Sequence, residues 1–271
     1  MARAHERKFA RVAVAALVVL IAATPLGIAW KLLNPRPIPK QQLPQPNSYD
    51  DFVDAGTAFN SSPILSTMIQ PTSTAQLAAE VAKYASTFDQ VHEALSLPCQ
   101  VPLMPIQPNM SFGFPFENVQ TIRSVARSLN CKAELAQQQQ RFRDAATISL
   151  ENMRVGVVTA RGGIVPQYLV GIAVEGIGMS ALYKAAPKLE ASECDDVIRS
   201  LEQIDISREP LDRVIERDRV FCESAWGWYG HLLLMLDDLA DSHPGYDATK
   251  HAYKRSSAIR RLLTLEIALR R

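Results

Sequence analysis

Cysteine is sparse in this chain and never clustered. Cys99, Cys131, Cys194 and Cys222 form no CxxC pair, and none stands at zinc-ligand spacing from a histidine, so no metal site is expected. The five histidines, at 5, 92, 231, 243 and 251, are scattered. His92-Glu93 lacks the second histidine of HExxH, and Ser180 sits in GMSAL rather than in a GxSxG elbow. Neither a P-loop nor GxGxxG occurs, so no catalytic residue and no cofactor is assigned. Sustained two-residue alternation of apolar and polar side chains is also missing, which excludes a sheet and leaves an all-α fold. A basic surface is lacking too. Residues 41–249 hold 15 Lys and Arg against 26 Asp and Glu, which excludes nucleic acid as a partner.

What the chain does have is an uncharged run near its start, Val12 to Trp30, preceded by Arg3, Arg7, Lys8 and Arg11. Nineteen helical residues span about 28 Å, close to a hydrocarbon core. Residues 12–33 are therefore read as a single-pass anchor in a lipid bilayer, with residues 1–11 cytoplasmic and the bulk exported. A cleaved signal peptide is the competing reading, since Pro25 and Gly27 interrupt the run and Gly27 and Ala29 are small. Residues 34–47 carry five prolines and read as an extended, semi-rigid stalk. Residues 48–271 then form one exported helical domain. In an exported domain the four cysteines allow three disulfide pairings, while their apolar neighbours fit buried thiols equally well.

Helix signals fill that domain. Tyr49 to Phe59 forms a short helix. Ser73 to Ser96 reads as one long helix, with a capping box at Ser73 and Gln76 and a stripe at Leu77, Val81, Tyr84, Phe88, Val91 and Leu95. The proline-rich Leu97 to Pro115 must be irregular, with Met104, Ile106, Met110, Phe112, Phe114 and Phe116 available to pack. Helices follow from Glu117 to the glutamine run at 137–140, from Phe142 to the Gly162-Gly163 break, and from Pro166 to Ala186. Others run from a Ser192 cap to about Ile204, from Pro210 to about Leu239, and from Thr249 to Arg271 after a His243-Pro244-Gly245 turn. Asp237, Asp238, Asp241 and His243 read as a solvated helix end rather than a calcium site.

Ala133 to Met153, AELAQQQQRFRDAATISLENM, resembles a single tetratricopeptide-type hairpin; no second copy lies 34 residues away. This places the domain among irregular, solenoid-like arrays of helical hairpins. The anchor with LLNPRP, the segments RFRDAATISLENMRVG and GGIVPQYLVGIAVEGIG, and the closing RRLLTLEIALRR together resemble an uncharacterised family of bacterial membrane-anchored helical proteins. That resemblance implies topology and no activity. Family members continue past the last helix, so the end at Arg271 reads as a shortened member or a fragment.

Two places invite a ligand. Glu175 interrupts the apolar Tyr168–Tyr183 run, where a carboxylate must be paired, protonated or solvated by a cleft. Arg154 or Arg161 on the preceding helix is the expected ion-pair partner. Trp226 and Tyr229, in WGWYGHLLLML, mark either a core helix or an aromatic box. The expected role is a membrane-anchored helical scaffold or protein-interaction module with a protein partner on the exported side. Two alternatives stand beside it. One is a tethered or secreted hydrolase with an acid/base group near Glu175. The other is a lipid-surface module using the basic final helix, where residues 250–271 hold seven Lys and Arg against Glu266 alone.

Overall fold

The structure is a computed structural model that describes Trp30 and residues 40–67, 73–103, 117–239 and 244–270. The anchor apart from Trp30 and residues 34–39 of the stalk lie outside the described residues, as do residues 104–116 of the proline-rich loop. The described residues form ten α-helices and no strand. These are α1 (Tyr49–Asn60), α2 (Pro63–Thr67), α3 (Thr74–Lys83), α4 (Ala85–Ala94) and α5 (Glu117–Gln138), then α6 (Phe142–Val158), α7 (Val165–Ala185), α8 (Ala191–Ile206), α9 (Leu211–Leu239) and α10 (Pro244–Arg270).

The chain divides into two compact units. One comprises residues 40–218 and 244–271; the other comprises residues 1–39 and 219–243. The described part of the second unit is Trp30 and the continuation of α9 from Arg219 to Leu239.

In the larger unit, α6 and α7 form an antiparallel pair that separates two hydrophobic cores. Ala145, Ile148 and Val155 of α6, with Val170, Val174 and Ala181 of α7, face the core built with α1, α2, α3, α4 and α5. Leu150, Met153 and Val157 of α6, with Met179 and Leu182 of α7, face the core shared with α8 and α10. A helix pressed from both sides must be apolar all round. This is the physical reason for the long apolar run of α7. Among the described residues, Val165–Lys188 is long and apolar enough to cross a membrane, and 56% of its 18-residue apolar stretch is buried inside the protein.

Glycine sets how closely α6 and α7 approach. A Cβ on Gly171 would stand 2.4 Å from the Gly156 carbonyl oxygen, and a Cβ on Gly156 would stand 2.5 Å from that of Gly171. Seven residues along α7, a Cβ on Gly178 would meet the Ser149 carbonyl oxygen at 2.7 Å. The low helix propensity of these glycines is offset by backbone-to-backbone packing.

Several boundaries differ from the sequence reading. The Ser73–Ser96 helix is two helices that break at Tyr84, where the bend brings both Tyr84 and Phe88 against Phe59, at 5.8 and 4.8 Å between ring centroids. The Ser73 hydroxyl does accept from the Gln76 N–H, at 3.2 Å. Helix α8 is capped by Glu190 in a box with Glu193, not by Ser192. This start buries Cys194 fully. Pro244 belongs to the first turn of α10, where its missing N–H costs nothing. The last part of the stalk is not a free spacer. The Gln41 amide donates to the Val101 carbonyl at 2.7 Å and accepts from the Leu103 N–H at 2.8 Å. Asn47 exchanges two such bonds with Gln100, both at 2.9 Å. Amide side chains mimic backbone, so residues 41–47 lie stitched along 97–103.

None of the four cysteines is in a disulfide, and Cys99, Cys131 and Cys194 are buried. Burial pushes the Cys99 thiol from an ordinary 9.0 to about 12 and the Cys131 thiol to about 11. It pushes the Tyr49 and Tyr168 hydroxyls from 10.0 to about 12. All four folded values lie above the unfolded ones, so their contribution to stability is intact below pH 9. It is lost as the pH rises toward 11–12, because the unfolded chain ionises first. Each tenfold difference in proton affinity is about 1.4 kcal/mol. Thermal melts from pH 8 to pH 10.5 should therefore show a steep loss of stability, on the order of several kcal/mol. Thiol titration at pH 8 should leave the three buried cysteines unmodified until the protein unfolds.

Candidate functional site

Glu175 sits on the face of α7 that carries Gly171, and its side chain occupies the room left by Gly156. A Cβ at Gly156 would come within 3.0 Å of the Glu175 Cγ. The carboxylate is fully buried and is held by two guanidiniums. Arg208, from the connection between α8 and α9, donates through Nη2 to Oε2. Arg260, from α10, donates through Nη1 to the same oxygen at 3.1 Å. The second nitrogen of Arg260 reaches the Asp205 carboxylate at the end of α8, at 2.5 Å. Arg208 also lies over the Tyr253 ring, 5.9 Å from its centroid, an arrangement that suits a planar cation. The side chains of Glu175, Arg208 and Arg260 are buried, and the exposed Asp205 supplies the second negative charge that balances the two guanidiniums. Burial pushes the Glu175 carboxyl above the ordinary carboxylate range, and the two arginines pull it back only in part. Burial alone would lower Arg208, yet the adjacent Glu175 raises it on balance.

The space beside this carboxylate is small. Gly156, Ala160, Tyr168, Gly171, Glu175 and Arg208 line a cavity of about 10 Å³, room for about one water molecule. The centre clamps α7, the end of α8 and α10 together. A second polar cluster fixes the α6–α7 turn, where Gly162 takes a φ of +74°. The Gly162 N–H donates to the Glu209 carboxylate at 3.0 Å, and Arg217 bridges Glu209 and the Gly163 carbonyl, the latter at 2.6 Å. Asp218 accepts from the Val165 N–H and from the Tyr246 hydroxyl, both at 3.1 Å. Burial raises its carboxyl and those two bonds draw it back.

The sequence located Glu175 and its need for an ion pair, but named the wrong partners. Arg161 instead donates to the Ser207 carbonyl at 3.0 Å. Arg154 is exposed on α6 and borders a different, open cleft of about 220 Å³ between α6 and α8. The side chains of Trp226 and Tyr229 lie outside the described residues. Arg208 sits in a connection, where no periodicity marks it. Arg260 did carry a signal. Ser256, Arg260, Leu263 and Ile267 recur at four- and three-residue steps, so Arg260 stands in the buried row of α10.

The open cleft collects charge of both signs, but most of it is already engaged. His92 pairs with Glu151 at 2.7 Å, Asp196 pairs with Arg199 at 2.5 Å, and Glu193 caps α8. The side chains of Arg143 and Arg154 make no hydrogen bond or ion pair among the described residues. The remaining distinctive surface is on α10. Its inner row is buried, while Ile259, Leu262, Leu265 and Leu269 on its outer side are 43%, 65%, 61% and 88% exposed. Lys254, Arg255, Arg261 and Arg270 share that exposed side. No family model, curated protein or solved structure matches this chain.

Proposed function

We propose that this protein is a helical docking module tethered to a membrane by residues 12–33, with its larger unit on the exported side and its C-terminal helix as the recognition surface. The observation that carries the reading is the outer row of α10. Four large aliphatic side chains stand exposed on one stripe of a helix whose opposite row is fully packed. Contiguous apolar surface of this kind marks an interaction site. The hydrolase alternative gains nothing from Glu175, because the cavity beside it admits about one water and no substrate.

The lipid-surface alternative meets a geometric difficulty. Gln41 is bound at Val101 and approaches the Gly162 corner. The Asp218 bridge to Val165 and Tyr246 brings the start of α10 to that same end of α7. Leu262 lies sixteen residues beyond Tyr246, about 24 Å along the helix. A tether leaving the larger unit at residue 40 would thus start at the Gly162 end, away from the apolar row.

Two results are expected. The full-length protein fractionates with membranes and a reporter fused after residue 271 is active only outside the cytoplasm. A photo-cross-linker at Leu262, installed in the full-length protein in its native membrane, yields a protein adduct. A cytoplasmic reporter would overturn the topology, and the absence of any protein adduct would overturn the docking role.

A further inference from the structure

We propose that the partner on the outer row of α10 is a second copy of this chain, paired helix to helix in parallel. This rests on the docking reading above and names its occupant. The argument starts from the spacing of the exposed residues. Ala258, Leu262, Leu265 and Leu269 follow one another at steps of four, three and four. This is the alternation that places side chains along a two-helix seam. The buried row, Ser256, Arg260, Leu263 and Ile267, lies on the opposite side, packed into its own domain. The seam is therefore free to face another helix without disturbing the fold.

Charge then selects the occupant and the direction. In a parallel pair, the residue just before one seam position faces the residue five places further on in the partner helix. Here those positions are Arg261 and Glu266. Two copies in parallel therefore make two Arg261–Glu266 ion pairs, one on each side of the seam, related by a two-fold axis. An antiparallel pairing sets Arg261 near Ala268 and Glu266 near Ile259 and gains neither. Glu266 is partly exposed and already accepts from Arg270 of its own helix at 2.8 Å. An arginine from the partner would join that contact as a small network. The seam is short, but α10 is already folded and held by its domain, so association does not have to order it. Tethering two copies in the same bilayer raises their effective concentration further.

The decisive experiment is oxidative cross-linking of full-length protein in membranes, comparing Leu265→Cys with Glu202→Cys, an exposed position on α8 away from the seam. Leu265→Cys is expected to form a disulfide-linked species of twice the mass at least tenfold more efficiently. Arg261→Glu should reduce that yield severalfold, and the double variant Arg261→Glu/Glu266→Arg should restore it. All of these positions are exposed or partly exposed, so unchanged thermal melts verify that the fold is intact. A Leu265→Cys yield no greater than that of Glu202→Cys overturns the proposal, as does failure of the double variant to recover. The photo-adduct at Leu262 separates the two levels. An adduct of twice the mass supports the second copy. An adduct with a different protein overturns the second copy and leaves the docking role standing. Binding of the solubilised protein to anionic phosphatidylserine vesicles, lost in Leu262→Glu, with no doubled species, overturns both in favour of lipid.

Discussion

Replacing Glu175 with alanine is expected to destabilise the larger unit by about 3–5 kcal/mol, seen as a fall of roughly 10 °C in the midpoint of a thermal melt. The size comes from what the substitution leaves behind. Arg208 and Arg260 have side chains only 6% and 3% exposed, and both donate to the same Glu175 oxygen. Without the carboxylate, Arg208 keeps a ring face and Arg260 keeps Asp205, but two positive charges remain in a region with too little negative charge. Removing the whole cluster should be far milder. The triple variant Glu175→Leu/Arg208→Met/Arg260→Leu exchanges buried charge for buried hydrocarbon and should recover most of the loss. A triple variant less stable than Glu175→Ala would show that the ion cluster has a role beyond charge balance. Glu175→Gln should fall between wild type and alanine, since it keeps the shape and loses the charge.

The second large effect concerns glycines of the α6–α7 pair and changes sign between them. Gly171→Ala should destabilise by about 1–3 kcal/mol, because its new methyl would meet a carbonyl oxygen of α6 and neither backbone can yield locally. Gly156→Ala should do the same from the other side of that contact. Gly176→Ala, five residues from Gly171, should stabilise by up to about 1 kcal/mol. Nothing lies within 4 Å of a Cβ there, and only the helix preference for alanine remains. Chemical denaturation of the three variants with equal slopes would measure this directly. Equal signs at 171 and 176 would show that α6 and α7 do not approach as described.

Much of the architecture was legible in the sequence because helical periodicity is a local property. The ends of α1, α5 and α6 and the glycine break between α6 and α7 followed from it. The apolar sides of α6 and α7 were visible, although their division between two cores was not, since a residue type does not state which neighbour covers it. The break at Tyr84 was hidden because the apolar stripe continues across it; the bend answers to the ring of Phe59, a residue outside the periodic segment. The Ser192 cap failed because Glu190 and Glu193 form the box with carboxylates instead of a hydroxyl. At the buried centre, Glu175 announced itself as a lone charge among aliphatic residues. Its partners lie 33 and 85 residues away, beyond any spacing rule, and the nearer arginines, Arg154 on α6 and Arg161 in the turn after it, were a natural but mistaken choice. Arg260 was read with the basic tail, although it stands in the buried row of α10.

The stitching of residues 41–47 to residues 97–103 bears on how this molecule would respond to mechanical load. A pull on its N-terminal side does not act first on the helices. It arrives at Gln41 and Asn47, which make four side-chain hydrogen bonds to Gln100, Val101 and Leu103. The Ser48 N–H, bonded to the Pro98 carbonyl at 3.0 Å, stands next in line. Only after this clasp opens would force reach Phe52 and the aromatic packing beneath α1. Unravelling from this end would therefore begin with side-chain hydrogen bonds rather than with the helical core.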